Sequence, residues 1–367
     1  MVKIFNTLLF FFIFTTSFSQ NLISEKFKLP KQVNETSGLL YLNGKIVTFN
    51  DSGNTAQLFE IDTITGEISR TIDIENAKNV DWEDITQDDS YIYIADFGNN
   101  YGSRKNLKIY RISKVDFSNA NKVDAEIIEL SYDNQTKFNS RKRNNFDAES
   151  LIILNDQLVI FTKNRGNQHT AIYTLPKEIG THTSSYSHSY NIEGLVTGAT
   201  LNKKTNQIIL CGYTDGLSPF LVVLDGLNTD SFVRIDLTPF IGLANQIEGI
   251  THVKNERYYL SREQVNKKIG GYSINIPPKL FLVDLNQINL HQNEVNDFIK
   301  IITSSGKKES QQFDFKKIKI QNEMEDTVFK RKDSFHLLST SDLKKGIYSI
   351  QIKVNDTIKH TSKFVVK

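Results

Sequence analysis

The chain has 367 residues, of which 39% are hydrophobic and 11% aromatic, and its 44 basic residues nearly balance its 42 acidic ones. This length exceeds one average domain, so we expect one large domain with a smaller one attached. The chain carries no basic stripe with interleaved aromatics, so we expect no nucleic-acid partner. Cys211 is the single cysteine and lies in an apolar run, so we predict a buried, inert thiol and no intramolecular disulfide.

Residues 1–20 have the pattern of a secretory signal peptide. Met1-Val2-Lys3 is a short basic start, an apolar run follows from Ile4 to Phe14, and residues 15–20 supply small and polar side chains for cleavage. The run is shorter than the roughly 20 apolar residues that span a bilayer. We therefore expect an exported protein without a transmembrane segment once the signal is removed.

A strand pair recurs along residues 21–286, which we predict to form a β-propeller domain. In each copy an apolar strand is followed, within a short turn, by a second apolar strand. The five copies begin at Glu35, Glu83, Glu149, Thr197 and Glu248. A period near fifty residues with several strands per unit is typical of β-propellers. The predicted fold class is all-β, with five blades; a sixth, hidden around residues 137–145, is the alternative.

The fifth copy has no outer strand of its own before the composition changes near Asn286. The segment from Glu25 to Leu29 precedes the first copy and can supply that strand, which would close the ring. Closure removes open sheet edges, which otherwise pair with other chains.

Propeller geometry predicts where chemistry can occur. In each blade the first strand starts, and the second strand ends, on the same face of the disc, so residues at these points surround the mouth of the central channel. The carboxylates predicted to meet there are Glu35, Asp51, Asp81, Glu83, Asp96, Asp147, Glu149 and Glu248, accompanied by Asp84, Lys163, Arg165, Asp215, Arg262 and Glu263. Crowded carboxylates raise one another's pKa unless a cation or basic groups neutralise them.

Three interpretations of this acidic face follow. The first is a calcium site formed by those eight carboxylates, because calcium prefers hard oxygen ligands. The second is a hydrolase, in which a pair such as Glu83 and Glu149 acts as general acid and base while Arg165, Lys163 or Arg262 holds an anionic group. The third is structural, with each carboxylate accepting N–H bonds from the next blade. An asymmetric cleft would favour an enzyme, and a symmetric ring a non-catalytic binding or scaffold protein.

Trp82 is the single tryptophan and stands between Asp81 and Glu83. It can wedge between blades, or it can line the channel mouth as a stacking platform for a sugar or another small ligand. The chain contains no Gly-x-Ser-x-Gly, His-Glu-x-x-His or phosphate-binding Gly-Lys-Thr motif, and its histidines are scattered. Zinc is therefore not expected.

Residues 287–367 break the period and predict a small β-sandwich-like domain. Strands are expected at 298–302, 315–320 and 334–338, followed by Leu-x-x-Gly-Ile-Tyr at 343–348 and a terminal Lys-Phe-Val-Val-Lys. This tail resembles the type A C-terminal sorting domain of the type IX secretion system of Bacteroidota, although His291–Val295 replaces that family's Pro-Asn-Pro-like opening. The resemblance implies delivery by the type IX machinery to the outer-membrane surface or beyond. A generic immunoglobulin-like module is the alternative.

The first 285 residues resemble secreted β-propeller proteins of the same bacteria. The matching motifs are Asp-Trp-Glu-Asp at 81–84, Asp-Phe-Gly-Asn-Asn at 96–100, and Arg104. This resemblance implies no particular activity. A more distant similarity to esterase-like and calcium-dependent phytase propellers concerns the fold alone.

Overall fold

The computed structural model describes residues 22–227, 231–269 and 272–287, together with separate strands further along. The regular secondary structure of this part is almost entirely β-strand. The two α-helices are α1 (Lys114–Asn119) and α2 (Thr238–Ile241), and two 3-10 turns cover Lys31–Val33 and Leu285–Gln287. No helix among the described residues is long and apolar enough to cross a membrane. The predicted signal peptide, residues 1–20, lies outside them.

The described residues between 22 and 287 form twenty-three strands. In chain order they are β1 (Ile23–Lys28), β2 (Thr36–Leu42), β3 (Lys45–Asn50), β4 (Gln57–Asp62), β5 (Ile68–Ile74), β6 (Trp82–Gln87), β7 (Tyr91–Asp96), β8 (Leu107–Ser113), β9 (Lys122–Val123), β10 (Glu126–Tyr132), β11 (Ala148–Leu154), β12 (Gln157–Thr162), β13 (His169–Leu175), β14 (Gly180–Asn191), β15 (Leu195–Asn202), β16 (Gln207–Tyr213), β17 (Pro219–Leu224), β18 (Ser231–Asp236), β19 (Ile247–Lys254), β20 (Arg257–Arg262), β21 (Val265–Ile269), β22 (Tyr272–Ile276) and β23 (Lys279–Asp284).

These strands form five antiparallel four-stranded units. From the inside outward the units are β2-β3-β4-β5, β6-β7-β8-β10, β11-β12-β13-β14, β15-β16-β17-β18 and β19-β20-β23-β1. The outer strands β10 and β14 also pair with each other in parallel, which joins the second and third units. The hairpin β21-β22 is an insertion within the fifth unit.

The inner strands contact one another in a ring. The order is β2, β6, β11, β15 and β19, and β19 contacts β2 again. Five clusters of buried hydrophobic side chains lie in the described residues, one at each junction between neighbouring units. A radial arrangement of small sheets packed face to face about a central axis is a β-propeller.

Burial differs between inner and outer strands. β3 and β12 are each buried over five consecutive residues, because sheets of neighbouring units cover both of their faces. The outer strand β10 alternates instead, with Ile128, Leu130 and Tyr132 buried and the residues between them exposed. Half-buried strands at the rim follow the two-residue period of a β-strand. Cys211 of β16 is buried, as predicted.

The N-terminal strand completes the fifth unit. β1 pairs antiparallel with β23, with Ile23 opposite Val283 and Lys28 opposite Lys279. The Lys279 ammonium also lies 2.6 Å from a Glu25 carboxylate oxygen. The prediction that this segment supplies the missing outer strand is confirmed, and two distant parts of the chain hold the ring closed.

Residues 133–147 connect β10 to β11 as a loop. The Gln135 side chain donates to the Gly102 carbonyl at 2.9 Å, and the Arg141 N–H donates to the Tyr101 carbonyl at 2.8 Å. Residues 137–145 contain no strand. The alternative of a sixth blade in this gap is therefore wrong, because the residues form a polar loop that lies on a neighbouring loop.

Trp82 lies at the junction of the first two units. Its side chain is fully buried, and its ring packs against Phe49 of β3 and Tyr110 of β8, with centroid separations of 5.5 and 5.9 Å. The wedge interpretation therefore holds, and the stacking-platform interpretation does not. The indole belongs to the hydrophobic core between units.

Six strands are described in the C-terminal part. They are β24 (Phe298–Thr303), β25 (Ile318–Asn322), β26 (Thr327–Phe329), β27 (Leu337–Ser339), β28 (Gly346–Val354) and β29 (Thr357–Val366). Four of them form an antiparallel sheet in the order β26-β25-β28-β29, while β24 pairs with β18 and β27. β25 and β27 overlap the predicted strands at 315–320 and 334–338, whose first three residues lie outside the described part of the chain. The β-sandwich and sorting-domain assignments stay predictions.

Asp84 lies where the inner strands come together. One carboxylate oxygen accepts the N–H of Leu151 in β11 at 2.8 Å, and the other accepts the N–H of Ile85 at the same distance. The N–H of Ala199 in β15 also bonds to this carboxylate. A Cβ on Gly38 of β2 would lie 2.7 Å from Asp84 Cα, so the first unit needs glycine there. One side chain thus links three inner strands.

We expect Asp84→Ala to lower the free energy of unfolding by about 2–4 kcal/mol, because it leaves buried N–H groups of Leu151 and Ala199 without an acceptor. Asp84→Asn keeps one acceptor oxygen and should lose less. Urea unfolding measures both. The matched control is Asp62→Ala, whose carboxylate also accepts two backbone N–H groups but in an exposed turn. Equal losses in Asp84→Ala and Asp62→Ala would contradict the linking role.

Candidate metal and catalytic site

A β-bulge interrupts each inner strand near its start. In four units the pairing with the second strand skips one residue, and these residues are Glu83, Glu149, Thr197 and Glu248. A bulged residue leaves the ladder, and its side chain takes a direction that regular pairing would not allow. The bulges therefore bring the same position of four units to the same end of the ring of inner strands, as the repeat predicts.

The first unit follows a different register from the one that the sequence repeat predicts. Thr36 pairs with Asn50 and Leu39 with Thr48, so the bulge contains Ser37 and Gly38. Ser37 is thus the equivalent of Glu83, and the alignment of Glu35 with Glu83 is wrong. Glu35 is exposed, and its carboxylate accepts a hydrogen bond from Asn54 at 2.6 Å. The repeat matched residue types, whereas the bulge determines which positions are equivalent.

Hydroxyl groups at the bulge link neighbouring units. Ser37 Oγ donates to the Glu83 carbonyl at 2.7 Å, and Thr197 Oγ1 donates to the Ile247 carbonyl. The structural interpretation therefore fits Ser37, Thr197 and the axial Asp84. The carboxylates of Glu149 and Glu248 instead have side-chain partners, described below.

A second ring of residues comes from the ends of the second strands. Asp51, Lys163 and Glu263 stand at equivalent positions, because their N–H groups donate to the carbonyls of Glu35, Asp147 and Gln246 at 2.9, 2.6 and 3.2 Å. Tyr213 lies at this position in the fourth unit, opposite Leu195. Asp96 and Arg262 come one residue earlier in their units. Since side chains alternate along a strand, those two lie on the other side.

Asp51, Asp81 and Glu83 form a compact carboxylate cluster. Each offers one oxygen, and these oxygens all lie within 4.8 Å of one another. Gly98 makes room for them, since a Cβ there would lie 2.0 Å from Glu83 Oε1 and 2.6 Å from Asp81 Cγ. Burial, reinforced by Glu149, raises the pKa of Asp51 to about 7. Burial and the neighbouring Asp51 raise the pKa of Asp81 to about 6.

Glu83 is the most enclosed member of this cluster. Its side chain is buried, and burial together with Glu149, Asp51 and Asp81 raises its pKa well above the ordinary value. Like charges held this close favour protonation or the binding of a cation. The cluster therefore has the electrostatic character of a metal site.

An ion-paired group lies beside the carboxylate cluster. The Lys163 ammonium is 3.0 Å from a Glu149 oxygen, and the Arg165 Nε is 2.8 Å from an Asp147 oxygen. Arg165 also donates to Asn100 Oδ1 at 2.6 Å. Burial opposes the charge on Lys163, but Glu149 and other neighbours hold its pKa above the usual value. Both basic groups are thus fixed in their charged state.

Glu248 and Glu263 complete the acidic face. Burial raises the pKa of Glu248 to about 7, while Lys163 and hydrogen bonds from Gln246 and Tyr213 oppose the shift. Burial and Glu248 raise the pKa of Glu263 to about 9. Glu248 therefore titrates near neutral pH, which is the property required of a general acid or base.

The remaining predicted residues do not join these groups directly. Asp96 pairs with Arg104 at 2.8 Å and accepts the Asp81 N–H at 3.1 Å, so it supports the cluster from behind. Arg262 donates to Asn245 Oδ1 at 2.5 Å and to the Pro277 carbonyl at 2.8 Å. Asp215 is exposed and accepts from Gln168. Arg262 is therefore engaged in holding a loop, and nothing in its contacts prepares it to hold an anionic substrate.

Sequence reasoning missed Tyr213, Ser37 and Gly98. Tyr213 occupies the position in its unit that Asp51 and Lys163 occupy in theirs. A tyrosine at the end of an apolar strand, however, has the pattern of a core residue. Lys163 lies 5.3 Å from the centroid of its ring, and Glu248 bonds to it. The number of residues that separates each of them from the bulge could have identified all three. That number is known only once the pairing register of the strands is known.

Comparisons with known proteins add distant likenesses of structure. No protein-family model matches the chain, and no curated protein matches it. An exo-β-1,3-galactanase from Phanerochaete chrysosporium with β-1,3-galactotriose is similar at 9% identity over 82% of this chain and 73% of that one, with a TM-score of 0.45. A GH43 β-1,3-galactosidase with galactodeoxynojirimycin is similar at 12% identity over 68% and 90%, with a TM-score of 0.42. The PQQ-bound aldose sugar dehydrogenase from Streptomyces coelicolor is similar at 9% identity over 71% of this chain and 97% of that one, with a TM-score of 0.39. Likenesses this distant carry no inference about function.

Proposed function

We propose that this chain is a five-bladed β-propeller that binds a divalent cation, calcium by ligand type, and uses it in hydrolysis. The observation that carries the proposal is the placement of Asp51, Asp81 and Glu83, with oxygens within 4.8 Å of one another, beside ion-paired Glu149 and Lys163. The acidic face is asymmetric, because the basic groups Lys163 and Arg165 come from the third unit.

The three carboxylates fit calcium by chemistry and by spacing. Calcium takes oxygen ligands at about 2.3–2.6 Å, so two ligands of one ion lie at most about 5 Å apart. Calcium needs six to eight oxygens, and three carboxylates leave positions for water and for a substrate oxygen. When bound, the cation supplies Lewis-acid polarisation of that oxygen.

Protein groups near the cluster supply the remaining chemistry. Glu248, with its pKa raised to about 7, exchanges a proton near neutral pH and is the proposed general base. Glu149 stays paired with Lys163 and orients that ammonium toward the cluster. Arg165, paired with Asp147, lies at the rim with part of its guanidinium accessible to an anionic group. Glu83 acts as a ligand in this scheme.

Export is part of the proposal and is supported by sequence patterns alone. Residues 1–20 match a secretory signal peptide, and the tail from 287 resembles a type IX sorting domain. We propose that the type IX machinery is the partner of this tail and that the propeller acts outside the cell or at its surface.

A non-catalytic binding or scaffold propeller is the second candidate. The hydrogen bonds of Ser37 and Thr197 to the next unit favour it, since they show that part of the inner ring is structural. In that case the cluster would bind a cation without turnover.

The deciding experiment is a substrate screen of the mature chain with phosphoesters, carboxylic esters and oligosaccharides, each with calcium or with a chelator. We expect turnover that requires calcium and falls at least about 100-fold in Glu83→Gln/Glu149→Gln. The matched control is Glu67→Gln, an exposed carboxylate in the turn between β4 and β5, which should retain activity. Calcium binding without turnover of any substrate would favour the scaffold, and turnover retained by the double variant would refute the hydrolase.

A further inference from the structure

A basic loop flanks the acidic face. Residues 134–146 contain four basic side chains and no acidic one, and Lys105 on the neighbouring loop adds a fifth. We name this set, Lys105, Lys137, Arg141, Lys142 and Arg143, the basic rim. All five side chains are exposed, and in the described part of the chain none has a carboxylate within 4 Å.

The basic rim is held next to the candidate site by specific contacts. Asn144 Nδ2 donates to the Asn100 carbonyl at 3.0 Å, and the Asn144 carbonyl accepts the Gly166 N–H at 3.0 Å. Asn100 in turn accepts from Arg165, and the Asn99 N–H donates to Asp147 Oδ1 at 2.7 Å. The rim is therefore attached to the residues that hold Asp147 and Arg165 in place.

Clustering these cations has an electrostatic cost, and in the described part of the chain no carboxylate lies within 4 Å of them. Arg141, Lys142 and Arg143 are consecutive, whereas the net charge of the whole chain is only +2. A concentrated positive patch attracts anionic ligands and speeds their association. The face thus has two poles, one basic at the rim and one acidic at the cluster.

One exposed aromatic ring accompanies the rim. Tyr101 is 49% exposed, and its carbonyl accepts the Arg141 N–H. Phe138 is half-buried, with Lys105 Nζ 4.9 Å from its ring centroid. A single exposed ring suits the apolar face of a sugar, while single-stranded nucleic acid is bound by several rings on which successive bases stack. A phosphate on every nucleotide would also meet the acidic cluster.

We propose that the basic rim binds an acidic polysaccharide and positions it across the carboxylate cluster. The spaced carboxylates of such a glycan would pair with the rim, while the hydroxyl-bearing stretch between them would reach the cation site. This inference names the substrate class of the proposed hydrolase and rests on that function for its catalytic part. The binding part stands on the rim itself.

The test uses the mature full chain, with hyaluronate, in which carboxylate-bearing and uncharged sugars alternate, and its carboxyl-reduced, uncharged form as probes, in a chelator so that calcium does not associate with the polymer. We expect Lys142→Glu/Arg143→Glu to weaken hyaluronate binding at least about tenfold. The matched control is Lys203→Glu/Lys204→Glu, the same charge change on exposed lysines in the turn between β15 and β16, with less than about twofold loss. Both pairs are exposed, so the thermal midpoint should stay unchanged.

Several outcomes would overturn the inference. These are equal losses in the two double variants, equal binding of the uncharged polymer, or tighter binding of a single-stranded oligothymidylate. Binding of the acidic polymer by the Glu83→Gln variant separates the hydrolase proposal from the rim proposal. This binding should persist if the basic rim acts by itself. Polymer binding with no turnover of any substrate in the screen refutes the hydrolase alone, and turnover of uncharged substrates without polymer binding refutes the rim alone.

Discussion

Replacing Glu83 by Gln is expected to lower calcium affinity at least about 100-fold, because losing an outer-shell partner already costs 10–100-fold and Glu83 is a proposed ligand. The variant keeps the shape of the side chain, so the packing against Gly98 stays. Isothermal titration calorimetry of the mature chain measures the affinity. The matched control is Glu35→Gln, since Glu35 is on the same face but exposed and outside the bulge ring. Absence of binding in the parent chain would refute the calcium site.

The same site predicts an unusual dependence on pH. A carboxyl whose pKa is raised on folding stabilises the folded state in its protonated form, and this stability is lost as pH rises through the folded pKa. Burial raises the pKa of Asp81 and Asp147 to about 6 and the pKa of Asp51 and Glu248 to about 7. The thermal midpoint of the cation-free protein should therefore fall as pH rises from about 5 to about 8.

Calcium should reverse this trend, because it binds the ionised carboxylates and releases their protons. The stabilisation by calcium is expected to grow from pH 5 to pH 8, because burial raises the pKa of the ligands Asp81 and Asp51 to about 6 and about 7. Thermal scans with calcium and with a chelator measure the difference. A calcium effect that is the same at both ends of the range would contradict a site made of these carboxylates.

Trp82→Ala is expected to lower the free energy of unfolding by about 3–5 kcal/mol, the range for removing a fully buried Trp or Phe. The cavity would open between the first two units, where the indole packs against Phe49 and Tyr110. Trp82→Phe should lose clearly less. Chemical denaturation followed by far-ultraviolet circular dichroism measures both variants.

Tyr101→Ala is the matched control for that experiment, since it removes an aromatic ring that is 49% exposed and should change stability by about 0.5 kcal/mol or less. A small loss in Trp82→Ala would mean that the junction between the first two units tolerates a cavity. The wedge role would then be wrong.

Much of the fold follows from local patterns in the sequence. The apolar strand pairs that begin near Glu149, Thr197 and Glu248 recur with a period near fifty because each unit must bury the same two faces. The missing outer strand after Leu285 identified the segment from Glu25 as its replacement, since an unpaired edge is unfavourable. These features depend on residue type and spacing, which the sequence displays directly.

The membership of the site depended on the tertiary structure. Glu35 and Glu83 carry the same residue type at the start of a repeat, yet only Glu83 occupies the bulge. A shift of one residue along a strand moves a side chain to the opposite face. This is why Asp51 and Lys163 join the site while Arg262 holds a loop.

The sequence by itself determined the strands, the repeat, the closing N-terminal strand and the presence of an acidic face. Only the tertiary structure decided which carboxylates lie within ligand distance, that Trp82 is a core residue, and that the basic loop lies beside Asp147 and Arg165. The physical reason is that strand pattern is local, whereas the bulge register and the docking of the 133–147 loop are set by contacts between distant residues.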